Sequence, residues 1–107
     1  MAGAAALVLI LMTFAVVCAE TMPLPFTREL ALTSPLMTGN DVIIFQNLII
    51  RDASVSAAGA GTSVGTYDAA AEHATVLFQE ANGMKGTGVF DAITAQLLLA
   101  QHSADGE

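Results

Sequence analysis

Cysteine and tryptophan are almost absent from this sequence, and the shortage of cysteine excludes several kinds of chemistry. The 107 residues contain no tryptophan and one cysteine, Cys18, which lies in the apolar N-terminal stretch. A chain that loses this stretch has no thiol, and therefore no disulfide, no cysteine nucleophile and no cysteine-ligated metal. Such a domain must be stabilised by packing alone.

Basic residues are also few. Three basic residues stand against ten acidic ones, and the formal net charge is −7. Arg28, Arg51 and Lys85 are spread along the chain rather than clustered. Because a protein that binds nucleic acid neutralises backbone phosphates with grouped cations, this distribution argues against nucleic acid as a partner.

The N-terminal stretch, residues 1–19, has no charged side chain. It ends in Val17-Cys18-Ala19, which places small residues where a signal peptidase cleaves. These features predict a signal peptide that is cleaved after Ala19, and so a secreted protein with no membrane association after cleavage. The alternative is an uncleaved anchor, because the apolar run reaches the lower end of the lengths that span a bilayer.

Proline is confined to one part of the chain. Pro23, Pro25 and Pro35 are the three prolines of the sequence, and all lie within residues 20–35. Because proline interrupts regular structure, we expect residues 20–35 to be an extended linker. The organised domain is then expected to comprise residues 36–101, with residues 102–107 as a tail.

Apolar spacing predicts the first helix. Val42, Phe45, Leu48 and Ile49 recur every three or four residues, as on one face of a helix, and Asn40 or Asp41 can cap its start. Residues 53–64 are small and of low complexity, which favours a loop.

A repeated phrase predicts where the other helices begin. GTYDAAA at residues 65–71 and GVFDAIT at residues 88–94 share a glycine, an aromatic residue and Asp-Ala. The glycine permits a turn, the aromatic side chain turns inward, and Asp68 or Asp91 caps the helix that follows. We expect these helices to end near Ala81, ahead of Asn82-Gly83, and near Gln101, with Phe78 in the core. The predicted fold class is therefore all-α, a small three-helix bundle with repeated turn-to-helix phrases.

These motifs occur in an order that is found in one known family. The residues concerned are Leu36, Gly39, Asp41, Val42, Phe45, Gln46 and Ile49, then Gly65, Tyr67, Ala74, Phe78 and Gln79, then Gly83, Met84, Gly88, Asp91, Thr94 and Leu98. In this order the sequence resembles the type 1 peptidoglycan-binding domain, a three-helix module. The resemblance implies a secreted, non-catalytic module that binds cell-wall glycan or glycopeptide.

The resemblance also suggests where the ligand would lie. The candidate surface is near both repeated phrases, with Thr66, Tyr67, Asp68 and Gly88 as the candidate ligand-binding residues. Tyr67 offers a ring face and a hydroxyl for glycan contact. The alternative for Tyr67 is a purely structural role with its hydroxyl at the surface.

The sequence departs from the family pattern in ways that leave other functions open. Asp68 stands where the family usually has glycine, and Ala71 where it usually has threonine. Ile43, Ile44 and Val76 occupy positions that are commonly polar in the family, and exposed Ile43 and Ile44 could form a protein-binding patch. The alternatives are a protein-interaction module that has lost glycan binding, and a targeting fragment of a larger, fused or separate cell-wall hydrolase.

Other candidate sites receive structural explanations. His73 and His102 lie on different predicted helices with no nearby carboxylate at ligand spacing, whereas zinc needs several convergent ligands, so we expect no metal and no cofactor. Gln46 and Gln79 each follow a phenylalanine, and each is expected to hydrogen-bond backbone in a neighbouring turn rather than to contact ligand. Asp68 and Asp91 could suggest a pair of catalytic carboxylates, but both are explained as caps, so no enzymatic activity is expected.

Overall fold

The computed structural model describes residues 21–56 and 64–102, and the predicted signal peptide lies outside them. The described chain is mostly helical, with four helices and a two-stranded ladder. The elements in chain order are β1 (Met37–Thr38), α1 (Asn40–Ile49), α2 (Ala53–Ser56), β2 (Thr66–Tyr67), α3 (Ala69–Ala81) and α4 (Ala92–His102). The expected helical class is therefore met in part, since neither the single turn α2, which falls in the predicted loop, nor the ladder was expected.

The starts of α3 and α4 confirm the predicted caps. The carboxylate of Asp68 accepts a hydrogen bond from the amide of Ala71 at 3.0 Å. Asp91 does the same for the amide of Thr94, also at 3.0 Å. Each aspartate thus satisfies an amide that has no partner within its helix.

The start of α1 differs from the prediction that Asn40 or Asp41 caps it. The cap residue is Gly39, with φ 143°, and no side chain caps the helix there. The carboxylate of Asp41 instead binds the guanidinium of Arg28, with Nε–Oδ2 at 2.7 Å and Nη2–Oδ1 at 3.1 Å. The predicted cap is therefore wrong, because Asp41 lies one position inside the helix and is paired with a residue from the preceding segment.

Both repeated phrases pair with the N-terminal segment. In the ladder, Met37 lies opposite Tyr67 in antiparallel register. In an isolated antiparallel bridge, the amide of Leu30 donates to the carbonyl of Phe90 at 3.2 Å, and the amide of Phe90 donates to Leu30 at 2.8 Å. The aromatic residue of each phrase is thus held by backbone pairing to residues that precede α1.

This pairing corrects the linker prediction. Residues 21–35 form no helix, as their prolines predicted, but the side chains of Phe26 and Leu30 are fully buried. The rings of Phe26 and Phe90 meet edge to face with centroids 4.9 Å apart. The domain therefore begins before residue 36, because an extended segment can still turn individual side chains into the core.

The core is built around aromatic side chains from the N-terminal segment, α1, α3 and both repeated phrases. Phe45 of α1 lies 4.9 Å from Phe90 and 5.2 Å from Tyr67, measured between ring centroids. Phe78 of α3 is fully buried, which confirms its predicted core position. The aromatic residues of both phrases point inward, as predicted.

The C-terminal end of the fold also differs from the prediction by one residue. His102 is the last residue of α4 rather than the first of a tail, and its Nε2 lies 2.9 Å from Oδ1 of Asp52. This contact joins the end of α4 to the turn between α1 and α2. None of the helices in the described ranges has the length and apolar character needed to cross a bilayer.

Candidate functional site

The repeated phrases form the same backbone turn. Gly65 has φ 78° and Gly88 has φ 79°, a region that side-chain-bearing residues rarely adopt. The side-chain oxygen of Gln46 accepts from the amide of Gly65 at 2.8 Å, and that of Gln79 accepts from the amide of Gly88 at 3.0 Å. A glutamine from the preceding long helix therefore holds each turn.

The same side chains bind a second group in each turn. The Nε2 of Gln46 donates to the carbonyl of Thr66 at 3.3 Å, and the Nε2 of Gln79 donates to the carbonyl of Val89 at 3.0 Å. Each amide thus bonds both to the glycine N–H and to the next carbonyl. This confirms that Gln46 and Gln79 bond backbone in a neighbouring turn.

Gln79 is 1% exposed and bonds further groups of the second turn and of α4. Its oxygen also accepts from the amide of Thr87 at 2.9 Å, and its nitrogen donates to Oγ1 of Thr94 at 3.0 Å. The Thr94 hydroxyl in turn donates to the Asp91 carboxylate at 2.7 Å. The second turn and the start of α4 are therefore joined through one buried amide.

Tyr67 is the predicted ligand residue whose position differs most from the prediction. It is 0% exposed. Its hydroxyl donates to the carbonyl of Gly88 at 2.7 Å and lies 2.6 Å from Oγ1 of Thr75. Burial raises the pKa of the Tyr67 hydroxyl well above its ordinary value, and the Thr75 hydrogen bond offsets this only in part. The structural role predicted as the alternative for Tyr67 is confirmed, but its hydroxyl is buried rather than at the surface. The folded domain leaves no surface of Tyr67 for ligand contact.

Gly88 is also part of the interior. Its amide donates to Gln79 and its carbonyl accepts from Tyr67, so both of its backbone polar groups are used within the domain. Gly88 is buried. The prediction that Gly88 contacts ligand is therefore corrected to a role in joining the two phrases.

The remaining predicted residues are Thr66, in β2, and Asp68, the cap of α3, and both are partly exposed. The carbonyl of Thr66 accepts from Gln46, and Asp68 caps the helix. Tyr67 brings this end of α3 close to the second turn by its bond to Gly88. Of the predicted site residues, these two alone lie where a ligand could reach their side chains.

An acidic stripe extends from Asp68 along α3. Asp68, Glu72, Val76 and Glu80 follow at intervals of four residues, which places them on one face of the helix. We refer to these residues as the α3 stripe. All are at least partly exposed.

The second turn lies against the α3 stripe. A methyl group placed on Gly88 would come within 2.6 Å of Cγ of Glu72. One placed on Gly86 would come within 2.8 Å of Cγ1 of Val76 and 2.9 Å of Oε2 of Glu80. Glycine at these positions therefore permits close contact between the turn and the helix.

The structure contains a polar cluster that sequence reasoning missed. Asp52 accepts hydrogen bonds from the amide of Ser54 at 3.2 Å and from the Ser54 hydroxyl, and its other oxygen lies 2.9 Å from His102. Burial raises the pKa of the Asp52 carboxyl, but the bonds from Ser54 and His102 outweigh burial and hold the pKa below its ordinary value. No local motif signals a contact between residues 50 positions apart.

The histidines have different environments. His73 is exposed, as expected for a solvated residue on α3. His102 lies 2.9 Å from the carboxylate of Asp52, a contact that the sequence did not predict. In residues 21–56 and 64–102 there is no group of three or more His, Cys, Asp or Glu side chains placed to hold a metal ion.

The isoleucines on α1 are less accessible than the sequence suggested. Ile43 and Ile44 are both partly buried, and Ile44 packs against the core. The flank of Gly65 lies close to Ile43, since a methyl group there would be 3.5 Å from Cγ1 of that residue. The expected exposure of these residues is corrected to partial exposure. The turn at Gly65 lies against Ile43, and Ile44 packs against the core.

Comparison of the chain with models of protein families, with curated proteins and with solved structures gives no significant match.

Proposed function

We propose that this chain is a secreted, non-catalytic module that binds cell-wall glycan or glycopeptide, with the three long helices arranged as in type 1 peptidoglycan-binding domains. One observation carries the proposal. Gln46 and Gln79, which belong to the pattern shared with that family, make equivalent bonds to Gly65 and Gly88, which belong to it as well. The residues on which the resemblance rests thus form the same glutamine-to-glycine hydrogen bond in both turns.

The ligand surface that fits this proposal is the α3 stripe together with Thr66. It offers carboxylates for hydrogen bonds to hydroxyl or ammonium groups, and Val76 for contact with the face of a sugar ring. The exposed Thr87 lies in the turn that packs against the stripe. The negative charge of the α3 stripe favours neutral sugars or cationic peptide groups over strongly anionic polymers.

A non-catalytic role accords with the use of the carboxylates. Asp68 and Asp91 each cap a helix through a bond to an amide, which restrains both side chains. The protein-interaction alternative depended on exposure of Ile43 and Ile44. Ile44 packs against the core and Ile43 lies beside Gly65, so part of each side chain already has a partner within the domain.

Sedimentation with insoluble polymers tests the proposal. The mature protein is mixed at micromolar concentration with purified peptidoglycan, chitin or cellulose, and the pellet is assayed after its folded state has been verified. We expect retention on peptidoglycan. Retention on none of the polymers by folded protein would refute the glycan-binding proposal.

A pair of variants tests the surface. Replacing both Glu72 and Glu80 by glutamine is expected to weaken retention several-fold while leaving the melting temperature nearly unchanged. The control is Glu29→Gln, because Glu29 is an exposed carboxylate outside the α3 stripe. Equal retention by the two proteins would place the ligand elsewhere. Secretion is tested separately, since the exported protein should have the mass of a chain that begins at Glu20.

A further inference from the structure

Asn82 and Gly83 end α3 in a closed arrangement of hydrogen bonds. Gly83 has φ 77°, its amide donates to the carbonyl of Glu80 at 3.1 Å, and the amide of Met84 donates to Gln79 at 2.9 Å. These are the paired bonds of a Schellman motif, which satisfies carbonyls at a helix C-terminus. The amide nitrogen of Gly83 is therefore engaged as a donor.

The side chain of Asn82 is fixed on both sides. Its Nδ2 donates to the carbonyl of Phe78 at 2.8 Å, and its Oδ1 accepts from Nε2 of Gln101 at 2.8 Å. Gln101 belongs to α4, so this second bond joins the end of α3 to another helix. Asn82 can change its rotamer only by breaking both bonds.

An asparagine followed by glycine is chemically vulnerable because glycine has no side chain to obstruct ring closure. The backbone nitrogen of the glycine loses its proton and attacks Cγ of the asparagine. A C–N bond forms, the side-chain nitrogen leaves as ammonia, and a succinimide results. Water then opens this ring to aspartate or isoaspartate, so the reaction needs no reagent other than solvent.

We propose that Asn82 is a deamidation site that the folded domain keeps closed and that reacts when the end of α3 opens. Ring closure requires Cβ, Cα and C of Asn82 to be nearly coplanar with the nitrogen of Gly83. At the observed ψ of 15°, the backbone nitrogen of Asn82 lies near the plane of its Cα and C atoms and the Gly83 nitrogen, whereas Cβ lies well out of that plane. Three features therefore oppose ring closure: the Gly83 nitrogen is engaged as a donor, the ψ of Asn82 keeps Cβ out of the required plane, and the side-chain amide of Asn82 is hydrogen-bonded.

Deamidation of Asn82 would weaken the helix end whose hydrogen bonds slow the reaction. Deamidation replaces the donor that faces the Phe78 carbonyl by a carboxylate oxygen, which repels it. The new charge lies at the helix C-terminus, where the helix dipole disfavours negative charge. The end of α3 in a deamidated chain therefore opens more readily, and the modification marks protein in which this helix end has been open.

Peptide mapping by mass spectrometry tests the proposal. The folded mature protein and a synthetic peptide of residues 79–86 are incubated at mildly alkaline pH, and conversion of Asn82 to aspartate and isoaspartate is followed. We expect the folded protein to react roughly tenfold or more slowly, because reaction requires local opening. Asn40 and Asn47, which precede Asp41 and Leu48, serve as slow internal controls.

Variants on α4 test the role of the side-chain bond. Gln101→Ala removes the donor to Oδ1 of Asn82, and Gln96→Ala replaces another exposed glutamine of the same helix. We expect faster deamidation of folded Gln101→Ala than of Gln96→Ala, and a lower melting temperature for Asn82→Asp. Equal rates for folded protein and peptide, or for the two glutamine variants, would overturn the proposal.

Discussion

The side-chain oxygen of Gln79 lies 3.0 Å from the amide nitrogen of Gly88, so an amide on one helix holds the turn that begins the next. Gln46 holds Gly65 in the same way at 2.8 Å. Since both glycines have φ near 80°, each turn combines an unusual backbone torsion with a side-chain clamp. The stability of the domain should therefore depend on the two glutamines to different degrees.

Gln79→Ala is expected to lower the free energy of unfolding by about 2–4 kcal/mol, because it leaves several buried polar groups without a partner. Gln46→Ala is expected to cost about 1 kcal/mol, since Gln46 is partly exposed and water can replace it. Urea denaturation of both variants measures the difference. Equal losses would contradict the greater role assigned to the buried amide.

Tyr67→Phe is expected to destabilise the domain by about 1–3 kcal/mol without direct loss of glycan contact, because the hydroxyl is buried and bonds Gly88. Thr75→Val is the matched variant, since it removes the other hydroxyl of the pair. If the two hydroxyls stabilise each other, the double variant should lose less than the sum of the single losses. Thermal unfolding and sedimentation on peptidoglycan, measured in parallel, separate stability from binding.

Three glycines with similar torsions allow steric and conformational costs to be distinguished. Gly83→Ala should cost about 1–2 kcal/mol, from its positive φ alone, because nothing lies within 4 Å of the added methyl group. Gly88→Ala should cost more, since its methyl group would meet Glu72 at 2.6 Å. Combining Gly88→Ala with Glu72→Ala should recover that excess. Gly65→Ala, with Ile43 at 3.5 Å, should resemble Gly83→Ala.

Phe26→Ala is expected to cost about 3–5 kcal/mol, because Phe26 is fully buried against Phe90 although it lies outside the helices and precedes α1. The control is Leu24→Ala, whose side chain is 80% exposed and should have little effect on stability. A chain that begins at Leu36 is expected not to fold cooperatively. A cooperative melt of that shortened chain would show that residues 21–35 are a linker after all.

The Asp52 carboxyl should give the domain an acid-sensitive contribution to stability. Its pKa in the folded state lies below the ordinary value of 3.8, so the unfolded chain binds the proton more tightly. The stabilisation that the Asp52 carboxylate gives is therefore complete above pH 3.8 and is lost as the pH falls through the folded-state pKa. The difference in unfolding free energy between the natural chain and Asp52→Asn should shrink over that window. A difference that stays constant as the pH is lowered would contradict this linkage.

Local sequence was sufficient for the features that local interactions control. Aspartate is a favoured helix cap, and after the glycine and aromatic residue of each phrase Asp68 and Asp91 could be assigned from sequence. The glycines of the phrases and the inward direction of Tyr67 and Phe90 followed from the same short-range rules. The bonds of Gln46 and Gln79 to backbone in a neighbouring turn were also predicted, because each glutamine follows a phenylalanine, as in the family that the sequence resembles.

Only the tertiary structure decided which of these groups remain accessible. Tyr67 is far from Gly88 and near to Thr75 along the chain, yet all three meet in the interior, which removes Tyr67 and Gly88 from the candidate surface. The burial of Phe26 and the contact of His102 with Asp52 likewise depend on residues brought together from distant parts of the sequence. Capping and turn formation are local equilibria between neighbouring residues and can be predicted from a short segment. Burial depends on how all the elements pack, which a single segment of sequence does not determine.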